Sequence, residues 1–155
     1  MRALLDVNVL IALLDAGHMH HAAASRWLDG HLSAGQVTAD RPDARAAGWA
    51  SCPLTQNGCL RILSNRAYPR PQPVAAVAAR LAEATATPHH AFWPDDLSVL
   101  EPARFAHDRW LDSRQITDAY LLALAVQRGG VFVTLDRGID ISLVRDATPR
   151  HLVTV

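Results

Sequence analysis

Residues 115–136 constrain the fold more than any other stretch: Gln-Ile-Thr-Asp-Ala-Tyr-Leu-Leu-Ala-Leu-Ala-Val-Gln-Arg-Gly-Gly-Val-Phe-Val-Thr-Leu-Asp. The pattern reads helix, turn, strand. Thr117 is a suitable N-cap, and Asp118 falls in the first turn, where the helix dipole favours negative charge. Ala119 to Val126 is almost wholly apolar, which predicts a helix buried on most of its surface. Gly129-Gly130 stops it, because glycine tolerates the left-handed conformation that ends helices. Val131 to Leu135 has the β-branched and aromatic character of a buried parallel strand. Asp136 follows at its exit. In open α/β sheets ligands collect beyond the carboxyl ends of strands and beside helix N-termini, the zone into which Asp118 and Asp136 would project.

The N-terminus repeats the arrangement. Ala3 to Leu5 is a short apolar strand, Asp6 falls at its end, and Asn8 can cap a helix that starts near Val9. Three aspartates on one scaffold would then converge, and packed carboxylates repel one another unless a cation compensates them. Hard oxygen donors with room for water suit magnesium or manganese. His18, His20 and His21 invite a zinc reading, but the spacing lacks the paired ligands of a zinc site, and helix capping or packing is the plainer use. Cys52 and Cys59 fit neither a disulfide framework nor a zinc knuckle.

Elsewhere the pattern predicts a helix over Gly17–Leu32, an exposed loop over 36–47, and a strand over Gly48–Pro53. A helix over Thr55–Ser64 would turn Leu60, Ile62 and Leu63 inward. A stiff connector through Pro69, Pro71 and Pro73 leads to an amphipathic helix over Val74–Thr87, with Val74, Val77 and Leu81 on its apolar side. His90–Trp93 reads as a third strand, Phe105–Leu111 as a short helix, Ile139–Val144 as irregular and Leu152–Val155 as an edge strand. The alternation indicates one domain over 1–155, an α/β/α three-layer sandwich around a central, mostly parallel sheet.

Composition excludes several chemistries. The 15 basic residues balance 15 acidic ones, so there is no basic nucleic-acid tail. Every basic residue is an arginine. Without lysine there is no P-loop and no Schiff-base mechanism. No apolar run approaches a membrane span and no leader is visible, so a soluble, cytoplasmic protein is expected.

Four pieces carry a resemblance: Leu-Leu-Asp-Val-Asn-Val-Leu at Leu4–Leu10, Cys-Pro-Leu-Thr-Gln-Asn-Gly at Cys52–Gly58 with Leu60–Leu63, Ile-Thr-Asp-Ala-Tyr-Leu-Leu-Ala-Leu-Ala at Ile116–Ala125, and Val-Thr-Leu-Asp-Arg-Gly at Val133–Gly138. In this order the chain resembles a PIN-domain protein, specifically a VapC-type toxin of a bacterial toxin–antitoxin pair. The resemblance implies a Mg²⁺- or Mn²⁺-dependent endoribonuclease, usually homodimeric, held inactive by a VapB-type antitoxin. Carried over by position, Asp6, Asp118 and Asp136 match the family's metal-binding and catalytic acids, and Asn8 and Thr134 match supporting polar positions. The departure is Gln56, where many members place a glutamate. The only glutamates are Glu83 and Glu101, neither near that motif, and Asp96 is the candidate to compensate. The loop over 36–47 looks like an insertion.

Arg61, Arg66, Arg114 and Arg137 are candidates for flanking RNA phosphates, since guanidinium groups suit bidentate contacts. Two rivals stand beside the nuclease. One is a PIN-like module that binds RNA or antitoxin without efficient cleavage because Gln56 lacks the charge. The other is a phosphohydrolase with Asp6 as nucleophile, which commonly wants a second acid and a lysine that this chain lacks.

Overall fold

The computed structural model describes residues 1–35 and 47–155. Five strands form one sheet: β1 (Arg2–Leu5), β2 (Gly48–Ser51), β3 (His90–Phe92), β4 (Val131–Thr134) and β5 (Leu152–Thr154). Their order is β3-β2-β1-β4-β5, and every pairing is parallel rather than mostly so. The chain builds outward from β1 to β3, then crosses back to lay β4 against the other side of β1. That reversal leaves a crevice at the carboxyl ends of β1 and β4, the place where such sheets bind ligands.

Alternation along each strand divides the core. Ala3, Leu5, Trp49, Val131 and Val133 face one layer, which contains α1 (Val7–Leu14), α3 (Pro53–Leu63) and α4 (Val74–Thr85). Leu4, Ala50 and Phe132 face the other, filled by α5 (Gln115–Gln127). The near-continuous burial of Ala119–Ala125 explains why α5 has no polar face until its ends. Gly129, at φ +62°, ends it as expected.

Several local expectations shift. α2 covers His21–Ala34 rather than Gly17–Leu32, and it buries only Ala24 completely. Pro53 opens α3 instead of closing a strand, at the helix position where its missing N–H costs nothing. Leu63 points inward but Ile62 is 44% exposed; on α4, Val77 and Leu81 are buried while Val74 is 57% exposed. Between β3 and α5 only a 3₁₀ turn at His107–Arg109 forms, not a helix over Phe105–Leu111. Phe105 instead bridges antiparallel to Val144, which removes it from any local helix. Of the expected loop over 36–47, all but Ala47 lies outside the described residues. Among the described residues no helix is long and apolar enough to cross a membrane.

Candidate functional site

The crevice is organised by a hydroxyl. Thr134, fully buried at the end of β4, donates to Asp6 Oδ2 at 2.6 Å. Its Oγ1 accepts from Asn8 Nδ2 at 3.1 Å and from the Asp136 N–H at 3.0 Å. One donor and two lone pairs are therefore all used. Asn8 closes the loop by accepting the Leu135 N–H at 3.1 Å. Asp6, not Asn8, caps α1, accepting the Val7 N–H at 2.7 Å. Asn8 lies inside the helix and ties α1 to the end of β4.

Asp118 enters from α5. It occupies the first turn, as its sequence position implied, but the helix begins at Gln115, so Thr117 is not the cap. Gln115 Oε1 instead accepts the N–H groups of Leu111 and Asp112 at 2.8 and 3.1 Å, fixing the chain as it enters. Asp118 is half-buried and Asp136 is exposed beyond β4.

The three carboxylates feel one another. Burial is the largest influence on Asp6, raising its pKa; the Thr134 and Val7 hydrogen bonds oppose it, and the Asp136 charge adds to it. Burial, then Asp6, then Asp136, push Asp118 up to about 6. No arginine forms an ion pair with any of the three among the described residues. Nor, among those residues, do three His, Cys, Asp or Glu side chains close into a cage for an ion. The donor set is still hard oxygen carrying uncompensated negative charge, and magnesium is commonly held through one or two carboxylates with water in its other positions. Asp6 and Asp118 carry donors that fit that manner of binding.

The PIN domain family model matches residues 3–141 of this chain. Ribonuclease VapC44 of Mycobacterium tuberculosis is 44% identical over 155 residues, covering 100% of both chains. Ribonuclease VapC39 of the same organism is 42% identical over 137 residues, 88% of this chain and 89% of the relative. The chain belongs to the PIN-domain family, in its VapC-type branch. Solved structures agree on the fold. Mycobacterium tuberculosis VapC20, a Sarcin-Ricin loop cleaving toxin, superposes with a TM-score of 0.59 at 15% identity, covering 95% of this chain and 99% of that one. VapBC2 from Rickettsia felis, bound to a DNA fragment from their promoter, gives 0.54 at 10% identity, covering 88% and 89%.

The other candidates separate once the PIN fold is in view. Gln56 makes no hydrogen bond to the acids: its Nε2 donates to Ser51 Oγ at 3.0 Å, and Ser51 Oγ lies 2.9 Å from His90 Nε2. It lines a groove between α3 and α4 with Asn57, Ala78 and Ala82. Asp96 does not compensate for it. Gln127 Nε2 and Arg128 Nη2 hold Asp96 at the far end of α5, about 15 Å of helix rise from Asp118. Arg61 and Arg66 are exposed on and just after α3, Arg137 is exposed beside Asp136, and Arg114 is held by Asp112 at 2.6 Å. The histidines serve local structure: His18 Nδ1 accepts the His20 N–H, and His21 Nδ1 lies 2.8 Å from the Ala12 carbonyl. Sequence reasoning missed the Ser51–His90 pair, since nothing in either segment announces a contact between adjacent strands.

Proposed function

We propose that this chain is a VapC-type endoribonuclease that cuts RNA phosphodiester bonds at Asp6, Asp118 and Asp136. The observation that carries the reading is the coupling of three carboxylates, with no arginine partner among the described residues, at the crevice between β1 and β4. Full-length similarity to Ribonuclease VapC44 supports the substrate class. That VapC20 is a Sarcin-Ricin loop cleaving toxin makes a structured RNA with an exposed loop the first substrate to try.

Asp6 and Asp118 would hold Mg²⁺ or Mn²⁺, with Asp136 binding directly or through water. When bound, such a cation lowers the pKa of a coordinated water and neutralises charge on the scissile phosphate. The chain's own residues supply the rest. Thr134 holds Asp6 Oδ2 directly, and Asn8 holds the Thr134 hydroxyl in place. Asp118, with a pKa raised to about 6, holds a proton on its carboxyl in mildly acidic solution and presents a charged oxygen above it. In-line attack leaving a 5′-phosphate is the outcome that the resemblance to the family implies. The VapBC2 likeness and the VapC relatives support a VapB-type antitoxin as partner. A homodimer in the cytoplasm completes the proposal.

The test is cleavage of a pool of small structured RNAs by purified protein in Mg²⁺, Mn²⁺ or EDTA, beside Asp118→Asn. Cuts that require the metal and fall at least about a hundredfold in the folded variant are expected. A folded Asp118→Asn that cuts as well as wild type would remove the central claim. The second reading, a binding module without efficient cleavage, is favoured by one observation only: an amide at Gln56. Metal binding with no cuts in any condition, while RNA is still retained, would decide for it.

A further inference from the structure

Two segments flank the acids, residues 104–116 leading into the start of α5 and 136–145 after β4, and they are stitched together. The Ala106 N–H donates to the Leu143 carbonyl at 3.0 Å, and the Arg145 N–H to the Arg104 carbonyl at 2.9 Å. Trp110 Nε1 reaches the same Leu143 carbonyl at 3.4 Å. The Trp110 ring meets Phe105 edge-on at 5.7 Å and His107 at 4.9 Å. A segment so anchored would be expected to hide its apolar side chains. It does not. Leu111 is 90% exposed and Ile116 is 41% exposed, beside a cleft of about 240 Å³ between Trp110, Leu111 and Ile116.

A second cleft, of about 360 Å³, is lined by Arg109, Ser142 and Arg145. The carboxylates of this region are largely committed elsewhere. Asp112 holds Arg114, and Asp140 caps the turn at Ser142, though it also feels the Arg109 charge. Asp108 and Asp146 are the other acids here, both exposed. Arg109, Arg137 and Arg145 form no ion pair among the described residues.

We propose that this ledge grips single-stranded RNA next to the scissile bond, with Arg109 binding a backbone phosphate and Leu111 lying under an unpaired base. The inference deepens the ribonuclease reading and rests on it. Arg145 Nε is held by the Pro102 carbonyl at 2.8 Å. The Arg109 guanidinium, in no ion pair among the described residues and beside an exposed apolar surface, matches what single strands offer, a phosphate and a base face at each step. A protein partner would want a continuous apolar patch, whereas here Arg114, Asp112 and Arg109 interrupt it. The ledge runs into the acids along the chain, since its first segment enters α5 three residues before Asp118 and Asp136 opens the second segment. Arg109 and Leu111 are binding residues in this account and take no part in the bond-breaking step.

The experiment uses Arg109→Gln, Arg109→Lys and Leu111→Ala, each alone for kinetics and each in the Asp118→Asn background for binding. The probe is a fluorescein-labelled hairpin RNA with an unpaired mixed-sequence loop, read by anisotropy across a salt series. Arg109→Gln should raise Kd and KM together by about 5–10-fold, with kcat nearly constant, and flatten the salt slope by about one. Arg109→Lys should restore the slope. Leu111→Ala should raise Kd at every salt concentration without changing the slope. Thermal unfolding checks that each variant is folded, and where one does not fold the other two decide. Kd and KM within about twofold of wild type in the folded variants would overturn the ledge. So would a Leu111→Ala protein that binds RNA normally but changes its sedimentation coefficient, which would make the surface a contact between copies. Asp118→Asn protein that binds no RNA, from a wild type that cuts none, brings down the ribonuclease reading itself and is told apart from a failure of the ledge alone.

Discussion

Thr134 shows how a single side chain fixes the site. Its hydroxyl holds Asp6, Asn8 and the Asp136 backbone at once. Thr134→Val keeps the shape and removes all three partners, leaving a buried carboxylate short of a donor. The expected loss is about 1–3 kcal/mol in urea unfolding, with a further rise in the Asp6 pKa. A change under about 0.5 kcal/mol would mean water replaces the hydroxyl without penalty. Asp15 is the opposite electrostatic case. Arg70 and Tyr68 hydrogen bonds, the former at 2.8 Å and the latter at 2.7 Å, keep its carboxyl well below the usual value of 3.8 despite burial. A depressed pKa contributes stability above 3.8 that is lost as the pH falls below that value. Wild type should therefore outlast Asp15→Asn at neutral pH, and the gap should shrink at about pH 3 and below. A gap that is constant with pH would assign the effect to packing.

At the scale of elements, α1 and α3 meet at Gly58. A Cβ there would stand 2.7 Å from Val7 Cγ2, and Val7 follows Asp6 directly. Gly58→Ala should cost about 1–3 kcal/mol by overpacking, and Val7→Ala in the same chain should recover most of it. Failure of the second change to rescue the first would move the cause to the helix backbone. The elements were legible in the sequence where one force dominated. The apolar run of α5, its glycine stop and the β4 strand needed no tertiary information, and neither did the placing of Asp6 and Asp136 at strand ends. Where two forces compete, sequence was insufficient. Ile62 and Val74 have the right spacing for burial but sit off the stripe that actually meets the sheet. Phe105 gives up a local helix for a distant partner at Val144. Motif position puts Gln56 at the acids, yet its amide bonds to Ser51 at the end of β2. A spacing rule names the residue and the turn of helix but not the direction in which a long side chain bonds.

For the whole molecule, the acidic crevice is a charge concentration inside a chain with a formal net charge of zero, so its destabilising effect is local and a bound cation should relieve it. Asp118 carries the clearest sign. Its folded pKa of about 6 lies above the ordinary 3.8, so the contribution favours folding below 3.8 and is lost as pH rises through about 6. In EDTA at neutral pH, Asp118→Asn should accordingly be more stable than wild type, by about 1 kcal/mol after allowance for solvent screening. Mg²⁺ or Mn²⁺ should reverse the order. At about 100 times its Kd a ligand of the folded state adds about 2.7 kcal/mol. In a chain of this size that corresponds to a rise in Tm of roughly 5–10 °C. Asp118→Asn should show little of it. The crossing of the two stabilities with metal is the decisive result, because a structural role for Asp118 would make the variant weaker in both conditions. An equal rise in wild type and variant would put the cation at some other place on the molecule and leave the three carboxylates without the ligand their repulsion calls for.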